Sequence, residues 1–173
     1  MSNGVPLLII SGSMGAGKTT VLSEVSDLLA EEHLPHGAID LDWLGVMYPS
    51  QGEHGGRLLF ASLAAIWPCY KSAGARRLVV ARVVEDRSEL KHYEEAVPGA
   101  EVVVCRLTAS TVTMRDRLRV REPGLFQLKA LARSTELDSI LKKSRAEDFV
   151  VNNDAGRSIT EVAREVLMGA GWL

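Results

Sequence analysis

Gly12, Ser13, Met14, Gly15, Ala16, Gly17, Lys18 and Thr19 complete the pattern G-x-x-x-x-G-K-[ST]. Each residue type has a physical task at its position. Glycines at 12, 15 and 17 let the backbone curl so that successive N–H groups point inward and surround phosphate oxygens. Lys18 adds a mobile full charge for the outer phosphates, the Thr19 hydroxyl is a hard oxygen ligand for Mg²⁺, and Thr20 extends the same phosphate-facing turn. The apolar run Leu7–Ser11 before the motif and an amphipathic stretch after it provide the strand–loop–helix setting that a chance glycine-rich turn would lack. A helix starting there brings unpaired N–H groups and about half a positive charge to the same spot. The chemistry implied is the binding of a nucleoside triphosphate.

Asp40 and Asp42 form an acidic pair 22 residues beyond the lysine, counting Lys18 to Asp40. A helix running away from the loop and a strand returning would bring this pair back to the same sheet edge. Alternation along an extended segment would then point both carboxylates the same way. One could hold Mg²⁺ while the other orients or deprotonates a substrate hydroxyl. An exposed turn or a helix N-cap is the competing use of aspartate here. Between residues 106 and 121 lie five arginines (Arg106, Arg115, Arg117, Arg119, Arg121) against Asp116 alone, a local net of +4 in a chain whose total is −2. Arg115 and Arg119 are four apart and share a helix face. Their planar forks suit phosphate oxygens, although a solvated face paired to Glu122 or Glu136 would also explain them.

Residues 42–70 are where a second substrate would bind. Aromatics make up only 5% of the chain, yet Trp43, Tyr48 and Trp67 gather in this segment, which suggests an apolar or ring-shaped acceptor. Trp67, inside Leu58–Tyr70, is assigned to the core instead. His54 and Arg57 could meet an anionic or hydroxylated acceptor, and Arg82 and Arg87, at or just past the third strand, hint at an anionic group on it. Pairing of those two arginines with Glu85 or Asp86 is the plainer alternative. The run Leu78–Val84 carries Ala81 and Arg82 where a second acidic motif would fall, leaving Glu85 and Asp86 as displaced candidates.

The elements that must position these groups follow from hydrophobic periodicity. Short β-type runs (Val5–Ser11, Gly37–Asp40, Arg77–Val84, Glu101–Leu107, Phe149–Val151) alternate with helical stretches, which predicts an α/β fold: three α/β/α layers around a mostly parallel five-stranded sheet. Val21, Leu22, Val25, Leu28 and Leu29 mark the buried face of the first helix. Ser158 and Glu161 read as a capping box before Val162, Val166 and Leu167. In such sheets ligands bind beyond the carboxyl ends of the strands, which is where the phosphate loop and Asp40 fall.

With 173 residues, 46% of them apolar and 24% charged, the chain is expected to form one domain over residues 1–173. Its 20 basic against 22 acidic side chains argue against nucleic acid as a partner. No apolar run reaches the ~20 residues of a membrane span, and no charged leader precedes the first apolar stretch, so a cytoplasmic location is expected. Cys69 and Cys105 show no metal or redox spacing.

In the order of its elements the chain resembles the small phosphate-loop kinases of metabolites and antibiotics: shikimate kinase, adenylylsulfate kinase and chloramphenicol phosphotransferase. Ala38–Leu44 is similar to the D-x-D strand end of shikimate kinases, which implies Asp40 for the metal and Asp42 for the substrate. It is also similar to a shorter segment of chloramphenicol phosphotransferase, whose proposed base would match Asp40. The arginine stretch resembles the helix that precedes a mobile lid in these kinases, implying Arg115 and Arg119 for transition-state charge, Arg119 for the nucleotide, and a short lid at about 122–128. The Asn152–Arg157 loop resembles one that packs on adenine, which implies Asn152 and Asp154 for the base, with the amides of Asn152 and Asn153 able to read adenine edges. The expectation is therefore an ATP- and Mg²⁺-dependent phosphotransferase acting on a hydroxyl of a small molecule, as a monomer or homodimer. The alternatives are a nucleoside or nucleotide kinase, and a nucleotide-binding regulatory protein with weak or no ATPase activity.

Overall fold

In the structure, a computed structural model that describes residues 4–49, 55–121 and 125–173, β1 (Val5–Ser11) feeds two separate cores. Leu7 and Ile9 enter one buried cluster, Leu8 and Ile10 the other, and none of the four is exposed. A continuous apolar run is what a strand covered on both faces requires. The remaining strands are β2 (Gly37–Asp40), β3 (Leu78–Ala81), β4 (Ala100–Thr108) and β5 (Phe149–Asn152). They form one sheet in the order β2-β3-β1-β4-β5 with every ladder parallel.

The helices among the described residues are α1 (Lys18–Glu31), α2 (Leu41–Leu44), α3 (Gly55–Ser72), α4 (Leu90–Ala96), α5 (Thr111–Arg121), α6 (Leu125–Ser144) and α7 (Ile159–Gly169). The stripe Val21, Leu22, Val25, Leu28 and Leu29 of α1 packs with Val162, Ala163, Val166 and Leu167 of α7 on one sheet face. Leu59, Leu63 and Trp67 of α3 join Leu90 and Tyr93 of α4 on the other. Burying each such large apolar side chain is worth roughly 1.5–3 kcal/mol, so the two clusters carry the three-layer arrangement. β1 lies at the centre, where the chain passes from the β2–β3 side to the β4–β5 side, and the loop after it opens into the crevice at that switch.

Four local expectations change. β3 pairs only over Leu78–Ala81, because beyond it β1 turns into its loop and β2 ends, leaving no neighbouring strands; Arg82 N–H keeps one bond to the Ile10 carbonyl at 3.1 Å. The extended segment stops at Asp40, where α2 begins, so strand alternation does not govern Asp42. Ser158 is the N-cap of α7 without a side-chain cap bond, so the capping box is not formed; its carbonyl accepts from Val162 N–H at 3.1 Å instead. Finally, α6 starts at Leu125, so the expected lid splits into residues 122–124, outside the described residues, and the first turn of a helix.

Candidate functional site

The loop after β1 curls back on itself at Gly15 (φ 83°) and closes at Gly17 (φ 94°), the N-cap of α1. Side chains are excluded at both. A Cβ on Gly15 would lie 2.8 Å from the Met114 carbonyl oxygen, and one on Gly17 would lie 2.4 Å from Nδ2 of Asn153. The motif glycines therefore serve close packing as well as left-handed backbone. No acidic residue occupies the first turn of α1, so its positive N-terminal end is not neutralised from within the helix. Lys18 Nζ folds back to donate to the carbonyls of Gly12 (3.0 Å) and Ser13 (3.3 Å).

A cleft of about 340 Å³ opens over this loop. Lys18, Thr19, Thr20, Asp40 and Asp42 line one part of it, and Met14, Trp43 and Val46 add an apolar wall. Thr19 Oγ1 donates to Asp40 Oδ2 at 2.6 Å, which joins the end of β2 directly to the start of α1. The other carboxylate oxygen of Asp40 accepts from Asp42 N–H at 3.1 Å and so caps α2. Placement at the carboxyl edge of the sheet and capping thus coexist in one side chain. Asp42, half-exposed, faces Arg82, with Oδ1 and Nη1 3.7 Å apart. The Thr19 hydroxyl and Asp40 carboxylate are two adjacent hard oxygens, the donor chemistry that Mg²⁺ takes when phosphates and water supply the rest.

The underside of the loop is held by an arginine expected only as one of the cluster, an asparagine expected at adenine, and a serine with no expected role. Arg117 of α5, rather than Arg115 or Arg119, reaches the cleft; its Nη1 donates to the Gly15 carbonyl at 3.2 Å and its Nη2 to the Asn153 carbonyl at 2.9 Å. Buried Asn153 donates Nδ2–H to the Ala16 carbonyl at 2.8 Å. Buried Ser134 of α6 donates to the Met14 carbonyl at 2.7 Å, and Ser13 Oγ meets Met114 Sδ at 3.0 Å. A helical signal for Arg117 was present: it lies three residues after Met114, which with Leu118 forms the buried face of α5. Asn153, expected to face adenine, and Ser134 carried no signal for this role, because their partners are backbone carbonyls distant in sequence.

The other expected residues are spread more widely. Arg115 is exposed, and Arg119 is exposed beside Asp116 at 3.5 Å. Asn152 is exposed, its side-chain oxygen accepting from Asp154 N–H at 3.1 Å. Asp154 does not stand open to the cleft: it accepts from Thr113 Oγ1, Ala155 N–H and Ser110 Oγ, which hold its carboxyl down at about 2. Trp67 is core, as assigned, at 3% exposure. Trp43 is 67% exposed at the cleft wall, whereas Tyr48, 97% exposed, does not line it. Arg57 is exposed on α3, also away from the cleft lining. His54 and residues 50–53 lie outside the described residues. Glu85 is taken by Arg133 at 2.8 Å, and Asp86 caps the short 3-10 turn Arg87–Glu89, so neither reaches the phosphate loop. Arg87 is engaged by Asp148 at 2.8 Å.

Fold and loop together define a phosphate-loop protein of the three-layer α/β/α kind. Its architecture is that of small phosphate-loop kinases among solved structures. The gluconokinase from Sinorhizobium meliloti superposes with a TM-score of 0.62 at 20% identity, over 98% of this chain and 93% of that one. The Acinetobacter baumannii shikimate kinase in complex with shikimate gives 0.61 at 16% identity, over 96% and 93%. The Mycobacterium tuberculosis APS kinase in complex with AMPPNP and APS gives 0.61 at 21% identity, over 97% and 98%. No protein-family model matches the sequence, and no curated protein matches it. No helix among the described residues is long and apolar enough to cross a membrane.

Proposed function

We propose that the chain is an ATP- and Mg²⁺-dependent kinase that transfers the γ-phosphoryl group to a hydroxyl of a small molecule. The observation that carries this reading is the 2.6 Å contact between Thr19 and Asp40, which sets the acidic end of β2 against the phosphate loop within one cleft. The neighbouring folds support it: all three are kinases of small metabolites, and one was solved with AMPPNP.

In this reading the loop N–H groups, Lys18 and the α1 N-terminus bind the phosphates of ATP, and Arg117 adds a cation at the cleft wall. Thr19 and Asp40 would hold Mg²⁺, which when bound spreads the charge of the phosphates. Asp42 accepts the proton of the acceptor hydroxyl as its oxygen attacks the γ-phosphorus. A new O–P bond forms, the bond from the γ-phosphorus to the bridging oxygen breaks, and that oxygen leaves on ADP. Trp43 and Val46 give the acceptor an apolar wall and shield the transfer from water.

The test is ATP consumption across a panel of sugars, nucleosides, antibiotics and hydroxy acids, with Asp40→Asn and Asp42→Asn measured separately. Asp42→Asn should cut turnover about 10²–10⁴-fold at unchanged ATP affinity, the usual loss for a general base. Asp40→Asn should lower turnover and raise the Mg²⁺ requirement. Consumption that no acceptor stimulates would favour the second reading, a nucleotide-binding regulatory protein. Its support is that β3 ends at Ala81 and is followed by Arg82, with no carboxylate at the strand end.

A further inference from the structure

Two of the exposed large apolar side chains, Trp43 and Val46, line the cleft, and both come from the turn that follows Asp40. Leu41 is wholly buried and Leu44 packs against the same cluster, so these two residues hold the turn down. Asp42, Trp43 and Val46 are left facing the cleft, and the Val46 N–H donates to the Trp43 carbonyl at 3.2 Å to fix their spacing. An indole open to water at the wall of a cleft is apolar area that a ligand would cover.

The sheet order separates the two ends of that cleft. α2 follows β2, at one edge of the sheet, whereas Arg117 and Asn153 belong to segments that follow β4 and β5, on the other side of β1. The phosphate loop lies between them, so Trp43 and Val46 flank the end where Asp42 stands. Charge divides the same way. The cations lining the cleft among the described residues are Lys18 and Arg117, both bonded to carbonyls of the phosphate loop. On the α2 side the lining carries Asp40 and Asp42, and Arg82, 3.7 Å from Asp42, is not part of it. The anionic group that Arg82 hinted at therefore meets no cation there among the described residues. It would instead face two carboxylates and the phosphates of ATP, and like charges repel.

We propose that the acceptor is a hydroxyl compound with a flat apolar body and no negative charge, that Trp43 selects its ring by stacking, and that Asp42 excludes anions. This rests on the kinase reading for the fate of the hydroxyl, and not for the binding. A ring laid on the indole sets its hydroxyl toward Asp42, the preceding residue. A positive charge on the acceptor is favoured by both the indole face and the two carboxylates.

Binding, rather than turnover, provides the test, with AMPPNP and Mg²⁺ filling the phosphate loop. The probes 1-phenyl-1,2-ethanediol, 2-amino-1-phenylethanol and mandelate share one ring and one hydroxyl and differ in charge. Their counterparts 1,2-propanediol, 1-amino-2-propanol and lactate repeat the series with a methyl in place of the ring. By calorimetry, the neutral and cationic phenyl compounds should bind about tenfold or more tighter than mandelate and than their methyl counterparts. Trp43→Ala should abolish the advantage of the ring. Trp43→Phe should keep most of it while removing the tryptophan fluorescence change on binding. Asp42→Asn should narrow the gap between the amine and mandelate about two- to fivefold, the range for one exposed charge pair. Mandelate binding as well as the diol, a ring advantage that survives Trp43→Ala, or a phenyl series no tighter than the methyl one overturns the proposal. A gap unchanged by Asp42→Asn overturns the role given to that carboxylate. Phenyl compounds that bind by these rules yet are never phosphorylated would refute the kinase reading and leave the acceptor wall standing. A phosphorylated anion whose binding ignores Trp43 would do the reverse.

Discussion

Asn153 shows how much of the site depends on single side chains that touch no ligand. Its buried amide supports the Ala16 carbonyl, and its Nδ2 occupies the space that a side chain at position 17 would need. Asn153→Ala should destabilise the protein by about 1–3 kcal/mol, the cost of leaving a buried carbonyl unsatisfied, and weaken nucleotide binding as the loop loses its support. Urea unfolding and a nucleotide titration measure the two effects. A loss confined to nucleotide affinity would show that the amide supports the loop without stabilising the fold. At this scale the sequence was most legible where chemistry depends on a contiguous motif. Lys18 and Thr19 could be named from their neighbours alone, whereas Asn153 and Arg117 depend on which carbonyls the fold sets in front of them.

The elements were readable to within a few residues wherever periodicity was strong. The stripe of α1 is buried at every position expected, and β1 spans the predicted residues. Ends were less legible, because strand length depends on neighbours: β3 stops where its partners do. The connection between α5 and the segment after β5 was hidden for a related reason. Asp154 accepts from Ser110, the residue that caps α5, and from Thr113 within it, across 44 and 41 residues. Those bonds, with that from Ala155 N–H, lower its carboxyl to about 2, below the ~3.9 of an unfolded aspartate. A depressed folded value means that the carboxylate's contribution is complete above the unfolded value and is lost as pH falls through the folded one. The Tm difference between wild type and Asp154→Asn should therefore be constant from pH 7 to about 5 and narrow between about pH 4 and 2. Thermal unfolding across that range would detect it, and a pH-independent gap would contradict it.

Across the whole molecule, two buried clusters on opposite sheet faces hold the strand ends in register, and the cleft lies at the carboxyl edge that this register creates. Leu29, fully buried between α1 and its neighbours, is remote from the cleft lining. Leu29→Ala should cost about 2–5 kcal/mol, the range for a buried leucine truncated to leave a cavity. At about 2–4 °C per kcal/mol for a chain of this size, the fall in Tm should be of order 4–20 °C. Nucleotide affinity measured well below the transition should be retained. Coupled loss of affinity in the folded state would mean that the core and the phosphate loop are less independent than the packing implies.

Local pattern was enough for the phosphate loop, the α/β alternation and the buried faces of the helices, because each rests on residues close together in the chain or on a repeating period. The turn at Asp40 into α2, the pairing of Asp42 with Arg82, and the seating of Arg117 and Asn153 beneath the loop all join residues distant in sequence. Such contacts exist only once parallel strands have set their carboxyl ends side by side, since it is the packed sheet that brings those residues within bonding distance of one another.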